Sequence, residues 1–462
     1  MGTSIYGGAF LLIHKAVSVY RAAEKVFART KLKQHAGRLV LSLYFKAILG
    51  IERIFHFESL DDPGFACLTG GKKVMSRSRL GWMLRRVTKP VAERFMKKTA
   101  PQLETAPNHS VSIDEHAIPR FTKKYGIAKG YHTIRNKKMK MEKVTYVFDI
   151  ASRQLLSLVV SKGNAALSAL TRRLLPLLRR KARGAPIRIV LDAGAAQNHD
   201  ELLDIALRDN QVVLVRTPRR PAYRKRWEQL PPENWSNLLE PGPYTNAPLK
   251  RISIAETTTM VRGKRHKDGH QVRTIVVREA GRSGKERWHA LWVFGDQQTE
   301  PYELVREFRT RQHHEQTYRV MLHDIHVDTA PSGYNKRSRD HKRPGFQHGP
   351  LHLFGWLAAL ATNALLELSL DLPPRFHRAQ PRTLRRWFLC TPAELYAGDG
   401  TLIVLLRPKR FREVWQALVD KANRRNTRIP WMDDRRVIFS LEPARSERRG
   451  TTPQFPESTP DP

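Results

Sequence analysis

The chain has 462 residues and is 40% hydrophobic, long enough for several domains around a sizeable core and too apolar to be disordered over most of its length. Its 82 Lys+Arg against 43 Asp+Glu leave a net charge of +39, a self-repulsion that favours a polyanionic partner, and nucleic acid is the polyanion whose counterion release drives binding. Two distant cysteines, Cys67 and Cys390, exclude a disulfide framework or a zinc knuckle and fit a reducing cytoplasm.

The N-terminus shows no basic segment with a small-residue cleavage site, so no signal peptide is expected. Residues 1–105 read as helices, with apolar residues recurring through Phe10–Val26 and Leu39–Ile54 and a turn at Asp61–Gly64. Ser76 is placed to cap a short basic helix containing Trp82, and this helical N-terminal region is expected to bind DNA. From residue 111 the rhythm turns to strands, at Val111–Asp114, Lys143–Ile150 and Gln154–Val160. A helix over Ala165–Lys181 contains Pro176 and is followed by the apolar run Ile187–Leu191, typical of a buried central strand. Asn198 and Glu201 have capping-box spacing before the next helix, and Gln211–Arg216 returns as a strand.

Residues 219–299 interrupt this α/β order with strand-like runs at Leu249–Ile254, Thr257–Val261, Val272–Val277 and His289–Phe294. The core resumes over 300–375 with a helix from Glu303 to about His323. A second apolar helix, Leu351–Leu370, carries His352, Asn363 and Glu367, which argues for a core helix rather than a membrane span. A C-terminal α/β segment over 376–441 has a strand at Thr401–Leu406 and a helix at Phe411–Asn423, and 442–462 reads as a disordered tail.

Chemistry concentrates at three carboxylates. The helix from Glu303 has one stripe through Leu304, Phe308, Arg311, Glu315, Tyr318 and Leu322, so a charged pair interrupts its core-facing side. That is costly unless something specific compensates, the simpler alternative being an i,i+4 salt bridge at the rim of the core. Glu303 and Glu307 fall on other faces and are expected to be solvated. Asp192 ends the apolar strand at the end of an open α/β sheet where sites form, its alternative role being a helix cap. Asp114 lies on the first strand with Glu115 facing the other way, while Asp149 ends the second strand as a competitor. Carboxylates on a first strand, a fourth strand and a later helix suit two-metal phosphoryl chemistry, because hard Mg²⁺ takes few carboxylates plus water and substrate oxygens. The histidines at 313–314 and from 341 to 352 show no ligand pattern.

The segments Ser112-Ile113-Asp114, Ile189-Val190-Leu191-Asp192-Ala193-Gly194 and Arg311-Gln312-His313-His314-Glu315 resemble the DDE transposases of bacterial insertion sequences. The resemblance is to the group whose ribonuclease H-like core has a β-rich insertion before its glutamate, and it covers roughly residues 65–370. That group's glutamate helix reads tyrosine, two residues, arginine, three residues, glutamate, six residues, lysine. Arg311 and Glu315 match, whereas Phe308 stands at the tyrosine position and Leu322 at the lysine position, with Arg319 the nearest substitute cation.

The resemblance implies an α/β fold: a ribonuclease H-like catalytic core over 106–218 and 300–375, a β-rich insertion over 219–299 and a helical N-terminal region. It implies that Asp114, Asp192 and Glu315 hold Mg²⁺ or Mn²⁺ and catalyse cleavage at element ends followed by strand transfer. Arg311 and Arg319 would contact DNA, as would the basic stretch with Lys123, Lys124, Lys137, Lys138 and Lys140 beside the first catalytic strand. Arg216–Arg226 and Arg262–Lys267 are further candidate phosphate contacts. The implied partners are terminal inverted repeats and target DNA, with a homodimer in the synaptic complex, in a nucleoid-associated cytoplasmic protein without membrane contact. A nuclease of this fold without strand transfer, or a catalytically dead DNA-binding descendant, are the alternatives.

Overall fold

The computed structural model describes residues 2–101, 109–121, 127–132, 135–240, 250–280, 286–329, 333–334 and 346–443. Lys123 and Lys124, and the tail from residue 444, lie outside them. The chain divides into two compact units, the first drawn from Met1–Thr99, Val320–Gly333 and Gly349–Pro462, the second from Ala100–Arg319 and Tyr334–His348.

In the first unit, helix Ala36–Leu49 is buried almost all round, with Leu39, Val40, Leu43 and Ile48 fully enclosed. It stops at Gly50, whose φ of +67° suits glycine and whose N–H returns to the carbonyl of Ala47. Helix Gly349–Leu370 packs against this helix and against Lys89–Thr99. It is long and apolar enough to cross a membrane, yet it is a mostly buried core helix, with Trp356 Nε1 donating to Thr99 Oγ1 at 2.6 Å. Grouping it with the second part of the core, as residues 300–375, is therefore corrected. A helix apolar on every side needs neighbours all round, and the N-terminal helices provide them. The segment 376–441 joins the same unit. Ala393–Gly398, Thr401–Leu406 and Arg435–Leu441 form a sheet edged by Gly2–Ser4, with helix Arg412–Arg424 packed against Arg435–Leu441.

The second unit is a mixed α/β sheet with helices. Its elements are β1 (His109–Pro119), β2 (Lys137–Asp149), β3 (Leu155–Lys162), α1 (Leu167–Lys181), β4 (Ile187–Leu191), α2 (His199–Leu207), β5 (Val212–Arg216), α3 (Pro221–Glu228), β6 (Trp235–Glu240), β7 (Lys250–Val261), β8 (His270–Ala280), β9 (Glu286–Phe294), α4 (Pro301–Thr310) and α5 (Gln312–His323). The strand order is β3-β2-β1-β4-β5-β9-β8-β7-β6, with the short strand Lys129–His132 also paired to the start of β2. β1, β2 and β3 pair antiparallel, β4 and β5 run parallel to β1, and β9 joins β5 antiparallel.

The insertion is thus a continuation of the sheet. The two expected strands at 249–254 and 257–261 are one strand, β7, because the residues between them keep pairing with β8. One face of the sheet buries Leu170, Leu174 and Leu178 of α1 with Leu202 and Ile205 of α2, against core strands and Trp292 and Phe294 of β9. On the other face, Leu304, Val305 and Phe308 of α4 cover Val190 and Leu214 together with Ile252, Ile275 and Leu291 of the insertion. Full burial of each such side chain is worth about 1.5–3 kcal/mol, so core and insertion are stabilised by shared hydrophobic layers.

Pro176 sits within an unbroken α1. The capping box expected at Asn198 is absent. The Asn198 side chain makes no cap bond, and Glu201 instead meets Arg172 at 3.3 Å and Arg265 at 3.1 Å.

Candidate active site

Strand register brings the first two carboxylates together. β1 and β4 are parallel neighbours with Ile113 beside Leu191, so Asp114 and Asp192 are the next residues on adjoining strands. The apolar residues that precede them, Val111, Ile113, Ile189 and Leu191, are completely buried and hold the two strands in place. Glu115 turns away and binds Lys143 at 2.6 Å. Asp149 pairs in register with Val111 rather than with Asp114, and its carboxylate binds His109 at 2.9 Å. Burial acts to raise the Asp149 pKa, but hydrogen bonds from His109 and Ser152 hold it below the ordinary carboxylate value. Asp149 is therefore a structural acid.

Glu315 reaches the same place from α5, and one guanidinium joins all three acids. Arg311 lies 3.1 Å from Asp114, 3.7 Å from Asp192 and 2.6 Å from Glu315. Its side chain is 9% exposed, whereas those of Asp192 and Glu315 are 43% and 47% exposed. Asp114 is pushed up to about 7, first by burial and also by the charges of Asp192 and Glu315, which together outweigh Arg311 and the Glu115 amide.

The glutamate helix differs from the sequence expectation. It breaks at Arg311, between α4 and α5, and the buried residues beyond the break are His314, Tyr318 and Met321. Glu315 consequently stands beside the buried stripe and faces partly into solvent. His314, which carries no ligand pattern in sequence, is completely buried, with its ring stacked between Phe148 and Tyr318, each 4.9 Å away. Its Nδ1 is 2.9 Å from Ser112 Oγ. Burial, with a smaller contribution from Arg311, lowers its pKa to about 3, so the ring is neutral. The Tyr318 hydroxyl donates to the Asp114 carbonyl at 2.6 Å. His314 and Tyr318 thus fasten the Glu315 helix to the Asp114 strand, two positioning roles whose only trace in sequence is their i,i+4 spacing.

Glu307 is not solvated, contrary to expectation. It binds the buried Arg188 of β4 and Ser110 of β1, because the register puts both opposite α4. Glu303 is exposed.

The donor set fits a hard divalent cation in kind, being three carboxylates with no sulfur or imidazole. Among the described residues no three His, Cys, Asp or Glu side chains stand close enough to share an ion. Here a guanidinium takes the position where an ion would be drawn.

A cleft of about 930 Å³ opens beside the triad, lined by Arg216, Arg219, Arg220, Arg224, Arg287, Arg309 and Arg311 against Glu279 and Glu315. Burial lowers the Arg216 pKa, as do Arg219 and Arg311, whose positive charges crowd it. Arg309 is tied to Glu240 and Glu279. The second basic loop is partly committed to structure, since Arg265 binds Glu201 and the buried Asp204, and His266 also meets Asp204.

Lys137 and Lys138 are exposed on β2, and Lys140 pairs directly across from Lys129. Lys140 lies six residues from Tyr146, the partner of Asp114, which is about 20 Å along the strand. The structure therefore does not bring these lysines to the triad. Arg319 is exposed one turn beyond Glu315.

No family model matches this chain, and no curated protein does. Among solved structures, the piggyBac transposase synaptic complex with hairpin DNA is similar to it over 82% of this chain and 79% of its own, at 12% identity and a TM-score of 0.41. A score this low fixes neither fold nor chemistry.

Proposed function

We propose that the chain is a DDE transposase that cuts the ends of a DNA element and joins them to target DNA. The observation that carries this reading is the convergence of Asp114, Asp192 and Glu315 on one cationic centre, with the two aspartates next to each other where β4 ends beside β1. The order β3-β2-β1-β4-β5, antiparallel in its first three strands and then parallel to β1, agrees with the expectation of a ribonuclease H-like core and so supports the reading. Asp114, Asp192 and Glu315 would hold Mg²⁺ or Mn²⁺. When bound, such ions supply an activated attacking oxygen and charge stabilisation of the leaving one.

The chain's own residues do the rest. The arginines of the cleft bind and orient phosphates next to the triad, as planar donors that match phosphate oxygens in pairs. His314 and Tyr318 hold Glu315 in register with Asp114. The net charge of +39 supports DNA as the partner; element ends and target DNA as substrates, a homodimer pairing two ends and residence on the nucleoid belong to the proposed reading.

The test is a plasmid strand-transfer assay with labelled duplexes taken from the flanks of the reading frame, in Mg²⁺ or Mn²⁺. Asp114→Asn, Asp192→Asn and Glu315→Gln should each abolish cutting and joining while DNA binding persists. Cutting without joining by the wild type would make the protein a nuclease, and any triad variant cutting at wild-type rate would refute the site.

A further inference from the structure

We infer that Arg311 is a built-in occupant of the metal position, which has to leave the carboxylates before an ion can be held there. The inference rests on the metal-dependent reading above and concerns how that site is regulated.

A single guanidinium sits within 4 Å of all three acids, at 3.1, 3.7 and 2.6 Å. Without it, three negative charges would face one another where β4 ends beside β1. With it, the acids are spaced around a planar group several ångströms across. Mg²⁺ needs oxygens at about 2.0–2.1 Å from one centre. Among the described residues no three acids are that convergent. A guanidinium and a divalent ion at one centre would repel strongly, so the two alternate.

Arg311 also has somewhere to go. It lines the arginine cleft, at the break between α4 and α5, and its Nε has no hydrogen-bond partner among the described residues. In the cleft it would join Arg216 and Arg219, a grouping of like charges that a DNA phosphate would stabilise. A phosphate in the cleft therefore draws Arg311 off the acids and opens them to metal. By reciprocity, metal strengthens DNA binding by the same factor. The protein is thereby kept from loading metal, and from cutting, until DNA is seated.

The experiment is calorimetric titration of Mn²⁺ into the full chain, which reads binding rather than turnover. Wild type, Arg311→Gln, Asp192→Asn and the double variant Arg311→Gln/Asp192→Asn are compared, with and without a saturating plain duplex. Without DNA, Arg311→Gln should bind Mn²⁺ at least tenfold more tightly than wild type, and the double variant should lose that gain. The duplex should tighten Mn²⁺ binding tenfold in wild type and by less than twofold in Arg311→Gln, after subtraction of the Asp192→Asn background. Equal affinity in wild type and Arg311→Gln, with binding in both dependent on Asp192, overturns the inference and leaves the metal site standing. Absence of any Asp192-dependent binding in every variant overturns the metal site itself. If Arg311→Gln fails to fold, Arg311→Lys carries the comparison. One ammonium cannot span three carboxylates, so its affinity should exceed that of wild type at least threefold, and equal affinity counts against the inference.

Discussion

The Tyr318 hydroxyl donates to the main-chain carbonyl of Asp114 at 2.6 Å and accepts from the main-chain N–H of Tyr146 at 3.3 Å. One phenol thus connects the helix that carries Glu315 to two strands at the level of Asp114. Tyr318→Phe keeps the ring in its stack and removes only the oxygen. It should destabilise the protein by about 1–3 kcal/mol, the usual cost of leaving buried polar groups unpaired. It should also slow DNA cleavage without weakening DNA binding. Thermal unfolding and single-turnover cleavage check both effects, and a variant unchanged in both would show that the hydroxyl sets no register.

Glu303 and Glu307 separate a surface acid from a half-buried one, paired to a buried arginine, on the same helix. Glu307→Gln breaks the pair with Arg188, whose side chain is 7% exposed, and should cost about 3–5 kcal/mol. Arg188 keeps Asp296 at 2.6 Å, which moves the expectation to the lower end of that range. Glu303→Gln, on an exposed position, should stay within about 0.5 kcal/mol of wild type. Denaturant melts measure the contrast, and equal stability of the two variants would contradict the buried pair.

Lys46 provides a pH prediction. Its side chain is buried at 1% exposure over the Phe354 ring, and its Nζ has no hydrogen-bond partner among the described residues. Burial lowers its pKa from 10.5 to about 7, with Asp328 and Glu52 opposing the shift and Arg385 adding to it. Between about 7 and 10.5 the unfolded chain binds more protons at this site than the folded one. The Lys46 contribution to stability therefore rises with pH across that window and is lost as pH falls through it. Lys46→Met should raise stability at pH 7 by about 1–4 kcal/mol, with the advantage shrinking toward pH 10. Melts across pH 7 to 10 test this, and a gain that does not depend on pH would exclude a buried amine as its source.

The cleft arginines are expected to carry much of the salt dependence of DNA binding. Log affinity against log salt falls by about 0.9 per phosphate neutralised. Arg219→Ala/Arg220→Ala, both exposed at the cleft, should make that slope shallower by about 1–2. Lys137→Ala/Lys138→Ala/Lys140→Ala, farther along β2, should shift the slope similarly if DNA follows that strand. Filter binding from 50 to 300 mM salt gives both slopes, and a cleft variant with the wild-type slope would place the DNA elsewhere.

The placing of the two candidate aspartates side by side could be read from residues alone, because each follows buried apolar strand residues. The apolar run before Asp192 and the alternation before Asp114 mark two strands, and their parallel register places the two acids side by side, although β1 runs on past Asp114 to Pro119. Glu315 was legible for a partly mistaken reason. A continuous 3.6-residue stripe put it on the buried face, but the break at Arg311 rotates the helix so that His314 is enclosed instead. A break of that kind has no local signal here, since neither proline nor glycine marks it. Glu307 was misread because its partner Arg188 is more than a hundred residues away and sits in a strand that reads as apolar. The fate of helix Gly349–Leu370 was illegible for a similar reason: its all-round apolarity says that it is buried but not among which neighbours.

Because β9 pairs with β5 and α4 covers strands from both sides of that seam, the stretch that looks like a detour in the chain has no boundary in space. Cutting out residues 219–299 would remove the partner of β5 and leave its main-chain N–H and C=O groups as a bare edge, ready to recruit strands from other molecules. Such a truncation should aggregate rather than yield a minimal nuclease. A chimera that exchanges this stretch between relatives should fold only if it carries α4 along with it. The smallest piece that can be inherited or engineered as a block is therefore the strands together with their covering helix, and a change far out on β7 is mechanically continuous with the strand that ends at Asp192.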